Sequence, residues 1–156
     1  MDPHYSTGSG TTAAIKRHPI HPMLVSLPIG FLIGALLSDI AYILIEDLFW
    51  AQASFWLLIA GLGSGVLAGA AGIWEFSGSK RARNLTIGWA HGIVNLVVLG
   101  LTAYNIILRL DDYTVIISQG LIVSGVTAVL LGISGWLGGE LVFRHGIGVS
   151  ENIGRQ

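Results

Sequence analysis

Four long apolar runs dominate the chain, covering residues 23 to about 45, 53 to about 73, 85–108 and 113 to about 137. Polar residues collect between them, at 46–52, 74–84 and 109–112. Each run exceeds the roughly 20 residues a helix needs to cross about 30 Å of hydrocarbon. Helices are required, because isolated strands would leave backbone N–H and C=O groups unpaired in lipid. Short connections make consecutive spans antiparallel neighbours, so the pattern predicts an all-α, up-down bundle of four transmembrane helices. A polar tail over residues 1–15, rich in Gly, Ser and Thr in its first part, is expected to be mobile. The transmembrane domain follows over 16–150, with a C-terminal tail over 151–156. The first run is too long for a cleaved signal peptide and three more follow it, so none is expected.

Composition agrees with a lipid-embedded chain. Of 156 residues, 53% are hydrophobic and 11% charged, where a soluble domain carries about 25% charged residues. Too few charged groups remain to coat a water-facing surface. The net charge of −1 offers no basic field for nucleic acid. With no cysteine, disulfides, thiolate metal sites, cysteine-held iron–sulfur clusters and covalently attached haem are excluded. Lys16, Arg17, Lys80, Arg81, Arg83, Arg144 and Arg155 fall on the side of the bundle that holds both termini, and Arg109 alone falls on the other. That bias predicts cytoplasmic termini in a bacterial inner membrane. Phe49, Trp50, Phe55, Trp56 and Tyr113 mark the outer boundary, and Trp74, Trp89, Trp136 and Phe143 the inner one.

Glycines recur at helical spacing: Gly61, Gly65, Gly69 and nearby Gly72 on the second span, Gly30 and Gly34 on the first, Gly88 and Gly92 on the third. Such stripes strip bulk from one helix face. They pack neighbouring helices, or they leave room for a flat ligand such as a porphyrin. Four spans without a visible internal repeat or paired broken helices make a poor monomeric carrier, and Pro28 is the one residue placed to kink the first span.

The histidines carry the main chemical signal. Apart from His4 in the tail, they are His18, His21, His91 and His145. His18 and His21 precede the first span, with His21 expected as its N-cap and Pro22 as its first helical residue. His91 lies about 9 Å along the third span from Leu85, at 1.5 Å per residue. His145 follows the fourth span. An alternating bundle brings all of these to one end, together with Glu75 and Glu140. Gly88, His91, Gly92 and Asn95 form one small, polar stripe. Ionisable groups in a bilayer usually face the bundle interior, and imidazole is the commonest metal ligand. Plainer roles compete: His91 as a helix–helix hydrogen-bonding residue, Glu140 paired with Arg144 four residues on, and Asp39 paired with Arg109 near the outer interface.

Residues 18–30, HPIHPMLVSLPIG, and 135–149, GWLGGELVFRHGIGV, carry a resemblance, as does Gly88-Trp89-Ala90-His91. Over roughly 16–150 the chain resembles a family of bacterial four-span membrane proteins catalogued as a domain of unknown function. Some members are fused to a Rieske-type iron–sulfur domain. The resemblance carries His18, His21, His91, Glu140 and His145 onto motif positions. It implies redox work at a membrane, with any iron–sulfur partner a separate polypeptide here.

Three functions are compatible with these residues. The first is a b-type haem protein, with His21 and His91 as the preferred ligand pair, His18 and His145 holding a second haem or supporting the first, and the Gly65, Gly69, Gly88, Gly92 and Asn95 faces giving the macrocycle room. Its partners would be a quinone or a separate redox protein. The second is a zinc, copper or iron site built from His18, His21, His91 and His145 with Glu140 or Glu75. The third is a cofactor-free accessory subunit of a homo-oligomer or larger membrane complex. An electron-transfer or accessory protein is expected rather than a stand-alone enzyme.

Overall fold

The computed structural model describes residues 14–15, 18–117 and 119–148. A short antiparallel ladder pairs β1 (Ala14–Ile15) with β2 (His18–Pro19). Then come α1 (Ile20–Leu24), α2 (Ser26–Ile45), α3 (Leu48–Gly78), the single turn α4 (Lys80–Arg83), α5 (Thr86–Leu108) and α6 (Gly120–Gly139). A π-helical turn, Glu140–Arg144, extends α6. The four apolar helices are long enough to cross a bilayer, so the chain is an integral, four-span helical membrane protein.

Helix α2 packs on α3, α3 on α5, α5 on α6 and α6 back on α2. The ring closes, which sets the first and third spans diagonally across the bundle. The core is narrow: Leu32, Ala35, Leu58, Val98 and Leu131 meet along the axis. Large apolar side chains such as Leu44, Leu67, Leu96 and Trp136 point outward, as lipid rather than water surrounds the bundle.

Two boundaries depart from expectation for local reasons, and one break falls near the proline expected to kink the first span. His21 does not cap the first span; it lies inside α1, and its carbonyl accepts from the Val25 N–H at 3.1 Å. The break between α1 and α2 falls where Pro28, lacking an N–H, cannot bond the Leu24 carbonyl. The fourth span begins at Gly120 rather than Tyr113, because Tyr113–Ile117 forms a 3₁₀ turn. Asp112 starts that turn by accepting from the Thr114 N–H and hydroxyl, each at 2.8 Å. Of the expected N-terminal tail, residues 1–13 lie outside the described residues, while Ala14 and Ile15 take part in the ladder.

Candidate functional site: two polar clusters at opposite ends of the bundle

At one end, His21 from the first span and His91 from the third meet across the bundle. Their ring centroids are 6.3 Å apart and the planes are nearly perpendicular, at 87°. The His21 Nδ1 lies 2.8 Å from the Ala68 carbonyl on α3. The His91 Nδ1 lies 3.0 Å from the Ser134 carbonyl on α6. A carbonyl only accepts, so each Nδ1 carries the proton and each Nε2 of the neutral ring presents a lone pair. The bonds around His91 agree with that tautomer. The Asn95 amide donates to His91 Nε2 at 3.1 Å, and the Ser134 hydroxyl donates to Asn95 Oδ1 at 2.9 Å.

Each ring also lies against a glycine one turn beyond the carbonyl it bonds. A Cβ on Gly72 would stand 3.0 Å from the His21 ring, and one on Gly138 would stand 3.2 Å from His91 Cε1. In a helix the carbonyl of residue i faces the N–H of residue i+4. Without a side chain at i+4, an imidazole can reach that carbonyl from the side. The glycines thus set the depth and orientation of both rings.

The remaining expected site residues separate into several places. Of His18 only the backbone, in β2, is described. His145 ends the π-helical turn, its N–H bonded to the Glu140 carbonyl at 3.3 Å. Glu140 accepts from Arg144 Nη1 at 2.6 Å, the four-residue pairing expected from spacing. Glu75 is buried at the end of α3. It is covered by Gly148, whose left-handed φ of 76° suits a residue without a side chain, and a Cβ there would stand 3.0 Å from Glu75 Oε1. Among the described residues no three His, Cys, Asp or Glu side chains gather closely enough to hold a metal ion. What converges is an imidazole pair.

The glycine faces divide as well. A Cβ on Gly65 would stand 2.7 Å from Leu99 Cδ2, and one on Gly88 would stand 2.8 Å from the Ala82 carbonyl oxygen. Both positions serve protein packing. Gly69 and Gly92 face open space.

The other end of the bundle holds an ion pair. Asp39 and Arg109, again from the first and third spans, are each fully buried. Arg109 Nη1 donates to Asp39 Oδ1 at 2.7 Å and Nη2 to Oδ2 at 2.9 Å, a bidentate fork. The Ser54 hydroxyl on α3 donates to Oδ1 at 2.5 Å and the Ser124 hydroxyl on α6 to Oδ2 at 2.6 Å. Arg109 Nε donates to Asn105 Oδ1 at 2.9 Å. Gly120 makes room, since a Cβ there would stand 3.0 Å from Arg109 Nη2. All four spans contribute a bond. Sequence spacing anticipates the Asp39–Arg109 contact, but not its full burial, and misses Ser54, Asn105 and Ser124. Eighteen residues separate His21 from Asp39, and eighteen separate His91 from Arg109. That is about five helical turns, so each pair shares a helix face. This periodicity was the available signal.

One family comparison bears on these residues. The model of the family described as predicted membrane protein, DUF2231, matches residues 17–151. The chain belongs to that family. The DUF2231 match takes in both polar clusters and all four spans, in keeping with the resemblance carried by the His-Pro motif. No curated protein and no solved structure matches the chain.

Proposed function

We propose that the protein is a membrane redox protein in which His21 and His91 would hold a b-type haem, exchanging electrons with a quinone or a separate redox protein. The observation that carries this reading is the pair of Nδ1–carbonyl bonds on two imidazoles 6.3 Å apart, because they leave Nε2 as the nitrogen of each ring that could bind a metal. A carbonyl partner on the far nitrogen is the usual means by which proteins orient a ligating histidine and raise its basicity. The ring centroids are 6.3 Å apart, close enough for one metal ion to be held by both residues. When bound, the haem would supply one-electron chemistry. The chain would supply the two imidazoles and the carbonyls of Ala68 and Ser134 that orient them. For His91 to hold the metal, the Asn95 amide would have to leave Nε2, and its bond to the His91 carbonyl at 2.9 Å would still hold it on the same turn.

In this reading the histidine end faces the cytoplasm of a bacterial inner membrane, on the strength of seven basic residues against one. The outer leaflet has no histidine, which favours exchange on the histidine side over conduction across the bilayer. The closed packing around Gly65 and Gly88 favours a second reading, a cofactor-free accessory subunit. Visible spectra of the detergent-purified protein, made with haem supplied during expression, separate the two. A Soret band with sharp α and β bands after dithionite, lost in His91→Ala and kept in His4→Ala, supports haem. Equal spectra in both variants reject the ligand assignment, and a colourless wild type rejects haem.

A further inference from the structure

The two clusters share a numerical relation that the sequence alone does not make visible. His21 and His91 are 70 residues apart, as are Asp39 and Arg109, and Ser54 and Ser124. At the same offset Gly30 corresponds to Gly100, Ser64 to Ser134 and Gly65 to Gly135. Buried positions correspond too: Leu32 with Thr102, Ala35 with Asn105, Gly61 with Leu131. Contacts obey the same rule. Ser54 and Ser124 each bond the Asp39 carboxylate, one on each oxygen, and each accepts from Arg109, at 2.7 and 3.2 Å. Helix α3 packs on α5 while α6 packs on α2, which is the exchange that two-fold symmetry requires.

At the histidine end the local arrangement repeats with a slip of one turn. His21 bonds the carbonyl of Ala68 and lies over Gly72; His91 bonds the carbonyl of Ser134 and lies over Gly138. In each half the histidine takes carbonyl i of the partner helix and the glycine is at i+4. Parallel repeats about an axis along the membrane normal are a known way of building helical membrane proteins.

We propose that the bundle is two copies of one helical hairpin, Ile20–Gly78 and Thr86–Arg144, and that the histidine site lies on the axis between them. It then takes a ligand offering two equivalent coordinating faces, such as a metalloporphyrin, with His21 and His91 contributing alike. The choice of ligand rests on the haem reading above; the duplication does not. At the opposite end the two copies have diverged into complementary residues, Asp39 in one and Arg109 in the other, so that each half completes its partner's charge.

The test is a charge exchange in the full-length protein. Asp39→Arg alone and Arg109→Asp alone set like charges against each other in a fully buried site, and each is expected to lose folded protein. The double variant Asp39→Arg/Arg109→Asp is expected to recover more than half of the lost melting temperature in detergent, because both positions see one serine from each hairpin. The counterpart of Asn105 is Ala35, so a triple variant adds Ala35→Asn to give the transplanted guanidinium its Nε partner. Failure of both exchanged forms to recover would overturn the duplication. The ligand is tested separately with haem b as probe: His21→Met and His91→Met are expected to shift the reduced spectrum alike. A shift confined to one of them, or a wild type that takes up no haem, overturns the two-faced ligand and leaves the charge exchange to decide the duplication.

Discussion

The same two spans are tied together twice, and the two ties differ in kind. Asp39 and Arg109 are fully buried charges that satisfy each other and three neighbouring side chains. His21 and His91 are half-buried rings that each spend one nitrogen on a backbone carbonyl, and at His91 the Asn95 amide meets the other. Lipid makes the first arrangement obligatory, since an unpaired charge in hydrocarbon is costly and demands a partner. It leaves the second arrangement open. A polar nitrogen on an imidazole is tolerable there without a ligand. Complete mutual pairing marks the charged end as a structural lock, and the imidazole end is the part that the proposed function reads as a site.

The largest expected effect comes from breaking the lock on one side. Arg109→Met leaves the Asp39 carboxylate buried with only two serine hydroxyls, and removing one member of a buried pair costs about 3–5 kcal/mol. Unfolding in detergent should show that loss, and Asp39→Leu/Arg109→Met should be far milder than the sum of its single variants. Additive effects would mean the two residues are not coupled.

Next in size is the effect on cofactor content of disturbing the open site. His91→Ala should remove haem while costing no more stability than ordinary loss of a hydrogen bond, about 0.5–1.5 kcal/mol. A variant that loses its fold along with its colour would place His91 with the lock.

Gly72→Val should act at one remove. Its Cβ would stand 3.0 Å from the His21 ring, so the imidazole must turn away from the Ala68 carbonyl. Haem affinity should fall about 10–100-fold, the usual effect of losing an outer-shell partner, with His21 itself intact. Unchanged affinity would show that the glycine does not set the ring.

The smallest effect lies outside both clusters. The Thr114 hydroxyl and amide hold the exposed Asp112 carboxyl below the usual carboxylate range. A folded-state value lower than the unfolded one stabilises above the unfolded value, and that contribution is lost as pH falls through the folded value. Thr114→Val should raise the Asp112 titration midpoint, followed by NMR, and slightly reduce the acid sensitivity of the 3₁₀ turn. No movement of the midpoint would remove Thr114 as the cause.

Much of this was legible in residue order. Four apolar runs and short links suffice for the bundle, because hydrophobic length and backbone pairing leave one solution in lipid. The convergence of His21 and His91 followed from alternating directions, and the Asp39–Arg109 contact from opposite charges at one end. The rest depended on depth and rotation. Nothing local distinguishes Gly65, which packs on Leu99, from Gly69, which faces open space. The fates of Glu75 and Glu140 turned on which lay under Gly148 and which reached Arg144. Ser54 and Ser124 carry no local signal, since only the fold brings both hydroxyls to one carboxylate.

The central claim, that the imidazole end is a ligand site and the charged end a lock, is tested most directly by the haem-to-protein ratio. It should be measured in the purified wild type, in His21→Ala/His91→Ala and in Asp39→Leu/Arg109→Met, all made with haem supplied. One haem per chain is predicted for the wild type and the charge-deleted form, and none for the double-histidine variant. Haem retained without the histidines, or absent from the wild type, would contradict the claim.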